Sequence, residues 1–504
     1  MKQGLLATVL AGGVVVAWAG SARADVYQVG PGRAYRQLQD LPTLSPGDVI
    51  ELDGDATYDG DAEFYDNGSA AQPITIRGVE VNGARPVISG GTNTLLLGGN
   101  HYRVDNVEIT GGSFRCVFHV ADDIVLERVL IRDCPRHGLL GADSGSGSLT
   151  LRYSEVRHCG GGLYDHQIYM ATDESAYPGS VFRMEFNYVH DANGGASVKS
   201  RAERNEIYYN WIEGGHYHEL ELIGPDGQDE NLAREDADVV GNVLRRTGPN
   251  ADFYPIRTGG DGTGQTWGRY RFAYNTILLA PGNTSAVFRI FDGNESLEMH
   301  DNVIVRQGGD TTPIKISRTV EASWSTGSEV VVGRANWIPA NAVDIPAGWT
   351  DTITGDTPGL VDLAALDLRP QQGSVLINGA EPAQSPSGFA FPSPLQQPTY
   401  QPVAQWLLPG QQLPRATVTD IGAFELEGAT PPDGGGTGGG GVGGTGGGGV
   451  GGTGGGGGGG TGDPGAGGSS DVVGGCQGSP TPAAWLLVLP GLIALVRVRR
   501  QSVE

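Results

Sequence analysis

Between about residues 70 and 345 one short pattern keeps returning: two or three β-branched or aromatic residues gathered around an asparagine, then a turn. It reads Val104-Asp105-Asn106-Val107, Glu185-Phe186-Asn187-Tyr188-Val189, Ile207-Tyr208-Tyr209-Asn210-Trp211-Ile212 and Val240-Gly241-Asn242-Val243-Leu244. It continues as Ala273-Tyr274-Asn275-Thr276-Ile277, His300-Asp301-Asn302-Val303-Ile304 and Ala335-Asn336-Trp337-Ile338. From Asn187 onward the asparagines follow at steps of 23, 32, 33, 27 and 34 residues. That period is too long for a hairpin array, and the intervening segments carry Gly and Asp turns with little helical periodicity. Ankyrin and tetratricopeptide repeats have similar periods but need helices that are not supplied here; a propeller is the remaining all-β alternative. The expected fold is a right-handed parallel β-helix, a single-stranded solenoid of three-sheet coils with one repeat per coil. An inward asparagine at the turn can bond its amide to the next coil's backbone, and asparagines stacked at strand spacing make an amide ladder.

The ends of the solenoid can be read too. Val26 to Val29 and Asp48 to Leu52 read as strands, and Tyr35, Leu38 and Leu41 share a helical spacing that suits a small cap across the first coil. Downstream, Thr357-Pro358-Gly359-Leu360-Val361-Asp362, Leu366-Asp367-Leu368-Arg369, Ser374-Val375-Leu376-Ile377-Asn378-Gly379 and Thr419-Asp420-Ile421-Gly422-Ala423-Phe424-Glu425 resemble the closing coils of β-helix proteins. The folded domain is therefore drawn at residues 25–427. Cys134 and Cys159 each follow a strand end at the same repeat phase, so on adjacent coils they are either a disulfide or a reduced, stacked pair.

Residues 1–24 read as a secretory signal peptide: Lys2, an apolar stretch from Leu5 to Trp18, and the small-x-small site Ala22-Arg23-Ala24. Residues 428–475 are almost all glycine, with Thr437, Thr445, Thr453 and Thr461 at a step of eight, and form a tether that cannot bury a core. In residues 476–504, Cys476 precedes an apolar stretch from Ala483 to Val496 and the basic residues Arg497, Arg499 and Arg500. Fourteen residues rise only about 21 Å as a helix, short of a hydrocarbon core of about 30 Å. This tail resembles the C-terminal sorting signal of myxobacterial surface proteins, which implies retention at the cell envelope by sorting machinery, with processing near Cys476; an ordinary tail anchor is the alternative. The chain has a formal net charge of -24, which argues against a nucleic-acid partner.

In a β-helix any site must be read from the outward column. Five successive coils carry His166-Gln167-Ile168-Tyr169-Met170, Ala196-Ser197-Val198-Lys199-Ser200-Arg201, Glu219-Leu220-Glu221-Leu222, Tyr254-Pro255-Ile256-Arg257 and Val287-Phe288-Arg289-Ile290. Placing Ile168, Val198, Leu222, Ile256 and Phe288 inside puts Gln167, Tyr169, Lys199, Arg201, Glu219, Glu221, Arg257 and Arg289 outside. The stretch Gly195 to Asn205 resembles the Lys-Ser strand of β-helix polysaccharide lyases, the group of alginate lyases and chondroitinase B. The resemblance implies that Lys199 is the general base removing the C5 proton of a uronic acid, that an arginine on a following coil assists, and that Ca²⁺ can neutralise the carboxylate. A lysine flanked by arginines is pushed toward its neutral, basic form. Glu219-Leu220-Glu221-Leu222 stands where an Arg-His-Gly type strand is expected, so Arg257 is the nearest replacement.

Tyr169, His166 and Arg201 are further candidate catalytic groups, Gln167 and Arg289 candidate substrate contacts, and Glu219, Glu221 and Asp226 candidate Ca²⁺ ligands. His216 and His218 are candidate bases or metal ligands. A polygalacturonase-type hydrolase would need strands that are missing; Asp122-Asp123 and His137-Gly138 are isolated fragments of that set. Two functions follow: a monomeric enzyme, at the cell envelope, cutting an extracellular uronate-containing polysaccharide by β-elimination, or a non-catalytic surface β-helix that binds glycans or mediates adhesion.

Overall fold

A computed structural model describes residues 24–224, 235–247, 253–260, 266, 268–291, 293–319, 330–381 and 396–426. Apart from Ala24, the leader lies outside the described residues, as do Asp226, residue 427, the glycine tract and the tail. Each coil gives one strand to each of three parallel sheets in turn. Among the described residues, the first sheet stacks 13 strands from Val26–Val29 to Gly348–Thr350, the second 12 from Thr57–Asp59 to Ile353–Gly355, and the third 10 from Ala62–Phe64 to Lys315–Thr319. The chain is thus the right-handed parallel β-helix expected from its repeat. Strand alternation sends every second side chain inward, where equal positions of successive coils stack. Ile50, Ile76, Val104, Leu126 and Leu151 form one such buried file in the first sheet.

The link between first-sheet and second-sheet strands is two residues long from the coil of Tyr102–Asp105 to that of Val330–Arg334. The first of the two takes a left-handed backbone, as at Arg128 (φ 54°), Phe186 (57°), Tyr209 (58°) and Tyr274 (57°). The second is the ladder position. Asn187, Asn210, Asn242, Asn275, Asn302 and Asn336 stack there, each Nδ2 donating to the next Oδ1 at 2.9–3.0 Å. The same Oδ1 accepts the backbone N–H of the preceding asparagine at 2.8–3.0 Å. The remaining amide hydrogen goes one coil back, for example from Asn242 to Ile207 O at 2.8 Å. Asn106 is a correction: it falls one residue early, in the left-handed place (φ 56°), which asparagine tolerates, and donates to Gly78 O instead. Val107 and Val129 hold the ladder place in their coils and Ser154 makes the transition, its N–H bonding Asn187 Oδ1 at 3.0 Å.

Three local expectations change. The N-terminal cap is one 3-10 turn, Leu38–Asp40, because Leu41 precedes Pro42 and is extended (φ -67°, ψ 144°). Among the described residues, 356–381 and 396–426 add no coil to the end. They form two antiparallel pairs, Leu360–Asp362 with Asp367–Pro370 and Tyr400–Gln401 with Leu413–Pro414, and return along the flank. There Leu368, Leu376, Ile421 and Phe424 cover the outward apolar stripe Trp211, Val243, Leu278, Val303 and Trp337 of the second sheet. The disulfide joins Cys116 to Cys134, not Cys134 to Cys159. Cys116 registers one coil below Gly138, and its Cα lies 5.9 Å from that of Cys134; a Cβ at Gly138 would run into Cys159, 3.1 Å away. The free thiol of Cys159 is buried and bonds Arg157 O at 3.2 Å; burial pushes it up to about 12.

Asn242→Ala strands the Asn210 backbone N–H in the interior and removes the side-chain bonds to the Asn210 amide and the Ile207 carbonyl. Urea unfolding should show a loss of about 2–5 kcal/mol, from about 1–3 kcal/mol for the abandoned N–H and about 0.5–1 kcal/mol for each of the two lost side-chain bonds. His119, wholly buried with Nδ1 3.2 Å from Ala121 O, is lowered by burial to about 4. The unfolded chain therefore binds the extra proton first, and the stability His119 contributes is complete above pH ~6.5 and lost as pH falls toward ~4. The melting temperature should drop across that window, and His119→Leu should flatten the slope.

Candidate active site

The third sheet carries the chemistry. Its strands Ile168–Ala171, Val198–Arg201, Leu220–Ile223, Ile256–Gly259, Ala286–Ile290 and Lys315–Thr319 pair in parallel. The register aligns Ile168, Val198, Leu220, Ile256 and Phe288 as a buried inward file. One residue on, Tyr169, Lys199, Glu221, Arg257, Arg289 and Arg318 face outward as a single column. Adjacent members stand one strand spacing apart, about 4.8 Å. Reading the sequence in steps of two placed five of these six correctly. Arg318 was missed, although Lys315-Ile316-Ser317-Arg318 repeats the alternation of the strands before it.

The column is outward but not bathed in water: Lys199 is 4% exposed, Glu221 4%, Arg257 6% and Arg289 3%. Arg257 Nη1 donates to Glu221 Oε1 at 2.5 Å, and its guanidinium lies 4.2 Å over Phe291. Lys199 Nζ sits 5.3 Å from the centre of the Tyr169 ring. Arg289 lies over Tyr254 and Phe291, and Arg318 donates to Tyr254 Oη at 2.8 Å. Burial alone would raise the Glu221 carboxyl. Lys199, then Arg257, His218 and His166, overcome that and hold it far below the usual carboxylate range.

Two histidines beside the column are fixed in opposite tautomers. His166 Nδ1 accepts the Ala196 N–H at 2.9 Å, so its neutral ring keeps the proton on Nε2. Burial and then the Lys199 charge lower it well below the ordinary value. His218 Nδ1 donates to Tyr254 O at 2.6 Å, which leaves a lone pair on Nε2; burial takes it down to about 4. His137, which looked like an isolated fragment in the sequence, orients His166: its Nδ1 accepts the His166 backbone N–H at 3.2 Å while its Nε2 meets Asp165 at 3.2 Å. Nothing in local sequence marks this relay, since its partners lie 28 and 29 residues apart on neighbouring coils.

Three expected groups sit elsewhere. Gln167 and Glu219 precede their strands, at the corner between the second and third sheets, and both are wholly buried rather than outward. Glu219 pairs there with Arg246, 3.0 Å away, and both side chains are completely enclosed. Burial, outweighing Arg246, raises the Glu219 carboxyl to about 7. Arg201 is also fully buried and donates to Gly224 O. The expected Ca²⁺ set does not assemble: Glu219 faces Arg246, Glu221 faces Arg257, and among the described residues no three His, Cys, Asp or Glu side chains gather. Asp226 lies outside the described residues.

No family model matches the chain, and neither does any curated protein. Among solved structures, the alginate lyase from Paenibacillus sp. str. FPU-7 aligns over 63% of this chain and 90% of its own, at 17% identity and a TM-score of 0.36. Pectate lyase Pel9A aligns over 80% and 97%, at 13% identity and 0.43. The GH136 lacto-N-biosidase from Eubacterium ramulus aligns over 61% and 68%, at 15% identity and 0.36. Likeness at this level carries no activity across, and the fold stands on the chain's own three sheets.

Arg246→Met leaves Glu219 buried without its counter-charge. Thermal and urea unfolding should report a loss of about 3–5 kcal/mol, and adding Glu219→Gln should restore much of it.

Proposed function

We propose that the groove over the third sheet binds an extracellular uronate-containing polysaccharide and cuts it by β-elimination. The observation that carries this reading is the column itself: its six outward side chains include Lys199, Arg257, Arg289 and Arg318 and one acid, Glu221, on a chain of net charge -24. A basic strip on an acidic molecule directs a polyanion to one place. The leader and tail read from the sequence would put that groove at the cell envelope, where such polymers lie.

Chemically, removing the C5 proton requires that the adjacent carboxylate be neutralised, and Arg257 and Arg289 supply fixed positive charge for it. Lys199 takes the proton. The C5–H electron pair becomes the C4–C5 double bond, the C4–O bond breaks, and the leaving oxygen is protonated by Tyr169 or by His166 Nε2–H on the neighbouring strand. Ca²⁺ does not fit the donors found here, since both glutamates already face arginines.

Glu221 stabilises the ammonium form of Lys199, so the base acts only after that proton is lost. Activity on alginate, pectate and glycosaminoglycans, followed by the absorbance of the unsaturated uronate with and without Ca²⁺, should climb toward alkaline pH. Glu221→Gln should move the climb to lower pH, and Lys199→Ala should cut the rate at least a hundredfold, at the low end of general-base contributions of about 10²–10⁴. No product on any polymer, or full activity in Lys199→Ala, ends the assignment. Glu221 standing where a lyase arginine is expected favours one rival, a surface β-helix that binds glycans without cutting them; binding with no product would select it.

A further inference from the structure

N-terminal to Tyr169 the same outward column becomes apolar, with Leu96, Phe118 and Leu140 in register before Tyr169. Above it stands a cation that the elimination does not use. The Arg115 guanidinium lies 3.9 Å from the centre of Phe114 and 4.0 Å from that of Phe118. Arg136 lies 4.4 Å from the Phe114 ring, so this ring carries two guanidinium groups.

The two arginines differ in their counter-charge. Arg136 is bound in a two-pronged contact by Asp165, at 2.9 and 3.0 Å. Among the described residues Arg115 bonds only the neutral Asn93 Oδ1, at 3.2 Å, and its Nε is buried without a hydrogen-bond partner. Among the described residues no carboxylate reaches it. Burial first, and then repulsion from Arg136, lower it to about 10. A half-buried cation with no acid and a like charge nearby is costly to keep unless an anion from outside completes it. A guanidinium held flat on aromatic rings presents its edge, the geometry that grips a planar or tetrahedral oxyanion through two N–H donors.

We infer that Arg115 is a second anion subsite of the groove, taking the carboxylate or sulfate ester of a sugar bound N-terminal to the reacting unit. Its strand Arg115–His119 is three strands before Val198–Arg201, a separation of about 14 Å along the stack. The ligand is therefore an oligomer bearing negative groups on sugars that are not adjacent, with an apolar sugar face over Phe118. This rests on reading the groove as a polysaccharide site, and not on Lys199 being a base.

Calorimetric titration of the whole protein with the dimer and hexamer of oligogalacturonate, and with chondroitin sulfate di- and hexasaccharides, tests it. Arg115→Gln should weaken hexamer binding about tenfold and leave dimer binding unchanged, the loss of one charge-assisted bond. Arg115→Lys, which keeps the charge and guards against a folding defect, should recover part of the affinity, and melting curves should coincide. A loss confined to the galacturonate series assigns a carboxylate occupant; one confined to the sulfated series assigns a sulfate ester. Equal hexamer affinity in wild type and Arg115→Gln, equal losses for dimer and hexamer, or no binding by the wild type overturns the subsite. Arg115-dependent binding without product removes the lyase reading alone, whereas product formation indifferent to Arg115 removes the subsite alone.

Discussion

The asparagine ladder is the constraint on which the remaining geometry depends. Each amide ties its coil to the next through a side chain and a backbone N–H together, at one position per coil, between the first and second sheets. Because these bonds are buried, a coil that slipped by one residue would leave several polar groups unanswered. Register is therefore set at the ladder and transmitted around the coil to the third sheet. Six outward side chains can share one file, from Tyr169 to Arg318, although the ladder steps vary from 23 to 34 residues.

That file shows how a strip of cations survives on a nearly dry surface. Glu221 neutralises its neighbours and is itself held ionised by Lys199 and Arg257. Phe291 and Tyr254 take the flat faces of Arg257 and Arg289, replacing part of the lost hydration with ring electrostatics. His166 and His218 stay neutral beside the strip because burial would strip a charged ring of its hydration, to which Lys199 and Arg257 add repulsion.

The repeating asparagine and the alternation of strand residues are local signals, and they sufficed for the fold and for the facing of Tyr169, Lys199, Glu221, Arg257 and Arg289. Alternation fails where a strand meets a corner, and there Gln167 and Glu219 turned out buried. Pairings across coils left no trace in local sequence. Arg246 reaches Glu219 from 27 residues away, Asp165 reaches His137 from 28, and Cys116 pairs with Cys134 across 18. Asn106 shows the converse failure, a residue of the right type displaced by one position into the left-handed turn.

Coil lengths vary, but not everywhere. From the coil of Tyr102–Asp105 to that of Val330–Arg334 the connection from first to second sheet keeps two residues, whereas that from second to third spans 10 residues before Ile168 and 6 before Leu220, and that from third to first spans 9 after Ala171 but 2 after Arg201. Both elastic corners border the third sheet, so over those coils the changes of length fall on its two flanks. A lineage of such chains could exchange loop after loop, and with them whatever that face meets, while every coil kept its place in the stack.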